Sequence, residues 1–404
     1  MTTSTLMFDP FSDDFFNGPY ATYARMRDES PVYYSPDYDF YALTRHADVA
    51  AAFKDHETFS SARGVDLSMV RAMIAAGENP SPQMIIYMDP PDHRQMRSLV
   101  NKVFTPRAIQ SLTHMVTEQI ELHLPEDTDH FDAVQDFSAL FPVEVITRMM
   151  GVDVSQAQQV RHWIDRSLHR APGQIDMDED GIQAGIEIGM WCYDLVQQRR
   201  DSPKDDMISR LIAAEILGDD GLPRRLDDIE ITGFAALLGG AGAETVTKLI
   251  GSAVVLFAKN PEQWQKLLDD RSKVPLAVEE LLRYEAPAQY NVRCSTRDVT
   301  LHGVTIPAEK PVFLVGGSAN RDPRAWTDPD RFDIDRDHTE AQNLGFGYGI
   351  HSCLGAALAR MESAVALNRL LDIMPRYEID WDHCRRVSMQ NVAGWHNVPV
   401  RVLR

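Results

Sequence analysis

Apolar positions along this chain recur mostly at helical spacing, and strand-like alternation is confined to short segments. Near the N-terminus, Val32-Tyr33-Tyr34 and Phe40-Tyr41-Ala42-Leu43 read as two short aromatic strands, with Ser35 to Asp39 as the turn between them. Thr44 is placed to cap a helix running on to Asp55. The stretch from about Ser60 to Pro91 reads as loop, because Gly64, Gly77, Pro80, Pro82, Pro90 and Pro91 punctuate it. From Asp92 a helix is expected to about Phe104, where Thr105-Pro106 ends it and opens another. Most of 107–285 has helical periodicity, broken at Pro125, Gly151, Pro172-Gly173, Pro203 and Gly221.

The clearest single element runs from about Asp227 to Ala258, before Pro261. At 1.5 Å per residue it would be about 48 Å long. Its middle, GFAALLGGAGAETV, is apolar nearly all round, as in a helix buried inside a large protein. From about 286 to 340 the pattern changes to short strands and turns. A helix follows Cys353, and Val387 to Leu403 reads as strand and turn. The fold expected is mainly α with small β-sheets (α+β), in one domain across residues 1–404.

Composition narrows the function. Forty Lys and Arg against sixty Asp and Glu give a net charge of −20, which argues against a nucleic-acid binder or an anionic membrane surface as partner. The four cysteines, Cys192, Cys294, Cys353 and Cys384, form no CxxC pair, so neither a disulfide scaffold nor structural zinc is expected. The start has no basic and apolar signal-peptide pattern, and no run of about 18 apolar residues is found, so no membrane anchor is expected. A cytoplasmic protein is the expectation.

Two glycine clusters invite a phosphate-binding reading, and neither supports it. In GFGYG the third glycine of a dinucleotide fingerprint would have to stand at Ser352. GGAGAET lies inside a helix pattern, and no Gly-Lys-Ser/Thr is present. The chemistry points instead to Phe346–Arg360, FGYGIHSCLGAALAR. Cys353 opens a helix there, where free N–H groups and the dipole favour a thiolate. Gly355 lets backbone approach the sulfur, and N–H bonds to sulfur tune a bound metal. A lone cysteine would read as buried in a turn, but one with Phe346, Gly349, His351, Gly355 and Arg360 at these offsets does not.

This string resembles the haem-binding signature of the cytochrome P-450 superfamily at every defined position, with Ala357 where many bacterial members have Pro. The resemblance implies haem b as cofactor and the cytochrome P-450 fold, with the long central helix passing over it. It implies Cys353 as axial thiolate to the haem iron, Phe346 shielding the sulfur and His351 bonding a propionate. Three further segments agree. Glu280 and Arg283 share a helix face and precede YEAP, as in the family's K-helix, with Arg336 as the third member of the network.

In the long helix, Gly239, Gly240 and Gly242 each cost about 1 kcal/mol relative to Ala and need a reason, such as close approach of a flat ligand. Thr245 can bond back to the Ala241 carbonyl, and Glu244 is an acid in an apolar stretch. AGAET resembles the family's I-helix motif, which implies that Glu244 and Thr245 deliver protons during dioxygen reduction. His93 and Arg97 lie one turn apart in a segment similar to the family's C-helix. Arg293 matches the Arg of the strand after the K-helix. With His351 they would make four donors for two propionates.

The resemblance implies a haem-thiolate monooxygenase that inserts one oxygen atom of O2 into a substrate, with electrons from a separate ferredoxin and ferredoxin reductase. By family position the pocket draws on Ser61 to Met88, on Phe234, Leu237, Leu238 and Ala241, on Ala288 to Val292 and on Asn391 to Trp395. These residues suggest a lipophilic small molecule, with Gln289, Asn291 and Asn391 available to a polar group. Arg94, Lys102, Arg107 and Arg360 are candidates for ferredoxin docking. A peroxide-driven peroxygenase and a non-catalytic haem sensor are the rival readings.

Overall fold

The computed structural model describes residues 6–77, 84–101, 104–126, 129–217 and 222–403; Pro80, Pro82, Lys102 and Gly221 lie outside the described residues. Its spine is the helix Asp228–Lys259. Asp227 caps it by accepting from the Glu230 N–H, and Glu230 reaches back to the Asp227 N–H, so two orphan donors are satisfied reciprocally. Helices Phe141–Met149, Ala157–Leu168, Glu179–Asp201 and Ala356–Ile373 pack around this spine. An 18-residue stretch of the spine helix has mean hydropathy 1.4, enough by length and composition to cross a membrane. The fold buries 78% of that stretch, so its apolarity belongs to the core.

The expected aromatic hairpin is present as Val32–Ser35 against Phe40–Leu43, antiparallel, with Val32 opposite Leu43. It forms one side of a five-stranded sheet that continues through Pro311–Leu314, Asn291–Ser295 and Phe59–Ser60. A three-stranded sheet joins Tyr377–Ile379, Pro399–Val402 and His130–Asp132.

Four local expectations are corrected. Thr44 does not cap the helix His46–Lys54; its hydroxyl donates to the Pro31 carbonyl, and the Asp322 carboxylate takes the His46 N–H at 2.9 Å. The loop expected over 60–91 contains the helix Leu67–Ala76, capped by the Asp66 side chain and ended by Gly77 at φ 68°. The helix from Asp92 stops at Val100, earlier than Phe104. A hairpin, Glu215–Leu217 with Pro223–Arg225, interrupts the helical middle.

The Glu280–Arg283–Arg336 network forms as the spacing implied. Arg283 donates to both Glu280 oxygens at 2.7 and 2.8 Å, and both side chains are fully buried. Arg336 Nε reaches Glu280 Oε1 at 3.2 Å. Arg283 also donates to the Asn320 carbonyl, and Asn320 Oδ1 accepts the Leu344 N–H at 2.9 Å. A buried ion pair thus fixes the segment that leads into the cysteine loop.

Candidate active site

The loop from Leu344 to Gly355 is wedged between two helices, and its glycines explain how. A Cβ at Gly349 (φ 74°) would sit 2.4 Å from the Phe53 carbonyl oxygen, and one at Gly345 would sit 2.5 Å from that of Leu282. Only glycine fits either position. The loop turns back on itself with the Cys353 N–H donating to the Phe346 carbonyl at 2.9 Å. Gly355 is the N-cap of Ala356–Ile373, and its N–H bonds to the Cys353 sulfur. Burial raises the Cys353 thiol above its usual value, against the Gly355 N–H, Arg97 and Arg360, which lower it. The helix start alone therefore does not hold a thiolate; a coordinated cation would, since coordination removes the proton outright.

Four basic residues from distant parts of the chain converge beside this loop. The His93 and His351 rings are 4.4 Å apart. Arg97 donates to the Ser352 carbonyl at 2.7 Å, and Arg293 to the Val292 carbonyl at 2.8 Å. Burial, then Arg293 and His93, push the His351 pKa down to about 2. Burial and then Arg97 push His93 down to about 4. Burial brings Arg293 to about 10. The carboxylate that acts on His93 and Arg293 is Asp89, which already accepts from the Ser60 hydroxyl and the Ser61 N–H. His93 Nε2 is buried without a hydrogen-bond partner. Such a cluster repels itself and is short of anions, so a ligand with two carboxylates fits it. His351 is the exception to free donation: its ring already meets Ser61 Oγ at 3.2 Å and the Met88 backbone.

On the spine helix, Thr245 Oγ1 donates to the Ala241 carbonyl at 3.1 Å, as expected. The three glycines have different reasons. A Cβ on Gly240 meets nothing within 4 Å, one on Gly239 only touches Met150, and one on Gly242 would press on Ile146 at 3.1 Å. Open space therefore lies beside Gly240, where Ala241 is also exposed in the middle of a core helix. Gly242 instead admits the Phe141–Met149 helix.

Glu244 and Thr245 do not meet. Glu244 is buried, with Lys248 Nζ 2.9 Å from its Oε2, and its carboxylate contacts that of Asp165. Lys248 was readable as an i, i+4 partner; Asp165 left no signal in the sequence. Gln289 is not available to a substrate. Gln289 is fully buried, accepting from Tyr23 and donating to the Ala286 carbonyl, and Asn391 donates to the Tyr290 carbonyl.

A cysteine on a glycine loop, four bases short of an anion and open space against a glycine-rich core helix define a haem-thiolate protein. Comparison with known proteins agrees. The family model for cytochrome P450 matches residues 189–390. Cytochrome P450 130 of Mycobacterium tuberculosis is 36% identical over 89% of both chains. Vitamin D(3) 25-hydroxylase of Pseudonocardia autotrophica is 37% identical over 93% of this chain and 91% of its own. The solved structure of a mutant of P450 EryK with erythromycin B superposes with TM-score 0.86 and 33% identity, covering 96% of each chain. The chain belongs to the cytochrome P450 family. It is a haem b-binding monooxygenase acting on small organic substrates.

Proposed function

We propose that Cys353 is the axial ligand of the haem iron and that His93, Arg97, Arg293 and His351 receive the propionates. The observation that carries this is the buried basic cluster beside the cysteine loop, with the unpartnered His93 Nε2. Haem b supplies dioxygen activation and oxygen-atom transfer. The chain's own residues do the rest. Gly355 gives its N–H to the sulfur. Phe346 lies under the Arg360 guanidinium, 4.7 Å away, and closes the outer side of the loop. Glu244 and Thr245 pass protons along the open side of the spine helix, Glu244 by turning from its present partners.

The substrate reading is a lipophilic small molecule. Phe234, Leu237 and Leu238 supply apolar wall, and Asn291 and Asn391 remain polar groups of the expected pocket. Electrons come from a separate ferredoxin and its reductase in the cytoplasm. Arg94 and Arg107 are exposed and suit an acidic ferredoxin. Arg360 is less suited, because it pairs with Glu279 at 2.5 Å. The test is Cys353→His: the red-shifted Soret band of the ferrous–CO form should disappear. Retention of that band would make another cysteine the ligand and remove this reading.

A further inference from the structure

The acid of the spine helix has a second acid beside it. Asp165 projects from the helix Ala157–Leu168, 79 positions earlier in the chain, and its carboxylate is in hydrogen-bond contact with that of Glu244. Two ionised carboxylates repel at that contact, and one shared proton relieves the repulsion. Glu244 Oε2 shows the same need from its own side. It is sealed from solvent, and although Lys248 Nζ is 2.9 Å away, the atom accepts no hydrogen bond. A protonated Asp165 supplies a donor to this carboxylate.

The surroundings decide where the proton resides. Lys248 is buried on the same helix as Glu244 and one turn on, with its ammonium 2.9 Å from Glu244 Oε2. Arg161 lies 3.6 Å from Asp165, but its guanidinium is shared with the Gln135 side chain and the Ala139 carbonyl. His396, on the strand Trp395–Asn397, is the further titratable group near Lys248, Arg161 and Glu244. Burial first, and Glu244 second, push the Asp165 carboxyl up to about 7. Asp165 differs from Glu244 in access: its side chain is 35% exposed, against 2% for Glu244.

We propose that Asp165 carries the proton of a carboxylic acid–carboxylate pair with Glu244 and recharges Glu244 from solvent during turnover. During turnover the O–H bond at Asp165 breaks and one forms at Glu244, which passes that proton on. The Asp165 carboxylate then takes a proton from water, and no electron moves. Asp165 acts through Glu244 and is a positioning and proton-loading residue. The proposal rests on the reading of Glu244 and Thr245 as the proton route.

The test is infrared spectroscopy of the resting haem-loaded enzyme across neutral pH, in H2O and D2O. Wild type should show one protonated-carboxyl C=O band that titrates near neutrality and shifts in D2O. Asp165→Asn should abolish it and Asp165→Glu should restore it. Persistence of the band in Asp165→Asn would overturn the proposal. A second readout is oxygen uptake and peroxide release without added substrate, driven by a surrogate ferredoxin and reductase. Asp165→Asn should slow water formation about 100-fold, the low end for a lost acid–base group, and flatten its pH dependence. An unchanged pH profile would also overturn it. Thr245→Ala and Glu244→Gln, read for peroxide per electron, test the underlying route separately. If both leave peroxide unchanged, that route falls and the recharging role falls with it, whereas a failure confined to Asp165→Asn leaves the route intact.

Discussion

Glu280→Gln is the most exacting perturbation of the frame that holds the cysteine loop. Glu280 accepts four hydrogen bonds: two from Arg283 at 2.7 and 2.8 Å, one from Arg336 at 3.2 Å and one from the Asp333 N–H at 3.0 Å. Glutamine keeps the volume but removes the charge and turns an NH2 group toward the Arg283 donors. The guanidinium would then be fully buried without a counter-charge, although the Asn320 and Pro329 carbonyls, both at 2.8 Å, still accept from it. Removing one partner of a buried pair costs about 3–5 kcal/mol, and the surviving carbonyl contacts place this case near the lower value. An exposed pair such as Arg25–Glu29 contributes about 0–1 kcal/mol. Urea unfolding of the haem-loaded protein, followed in the far-ultraviolet and at the Soret band, measures the difference. Haem content should fall with stability, because Asn320 ties this network to the Leu344 N–H at the root of the loop. A loss under about 1 kcal/mol, the exposed-pair value, would refute the argument that burial makes the pair strong.

Three other outcomes follow from the geometry. In the haem-free protein Gly240→Ala should raise the thermal midpoint, gaining about 1 kcal/mol of helix propensity with no protein contact to displace; Gly251→Ala should lower it by about 1–3 kcal/mol, since its Cβ would meet Val134 at 2.8 Å. Asp165, at about 7 in the folded protein against about 3.9 unfolded, binds a proton that the unfolded chain has lost. Stability should therefore fall as pH rises between about 4 and about 7, and thermal melts of Asp165→Asn should show a shallower decline. Reduction by an acidic ferredoxin, followed by stopped flow, should slow with added salt and slow further in Arg107→Glu, because charges are screened beyond about 8 Å at physiological ionic strength.

Cofactor class and frame were legible in the sequence because their determinants are local. The offsets from Phe346 to Arg360 and the i, i+3 spacing of Glu280 and Arg283 act over a few residues and survive as a linear pattern. The helix Leu67–Ala76 was equally local, with Asp66 and Gly77 as its caps, but the surrounding prolines and glycines hid it. What only the tertiary structure decided is who meets whom across the fold. Asp322 rather than Thr44 caps the helix at His46, from 276 positions away. Gln289 spends its amide on Tyr23 and the Ala286 carbonyl, so it does not serve the pocket. Glu244 faces Lys248 and Asp165 and not Thr245, since residues adjacent on a helix point about 100° apart. A side chain's spacing in sequence sets the face it occupies; which partner waits on that face, and hence its charge state, depends on packing between segments that the linear pattern does not connect.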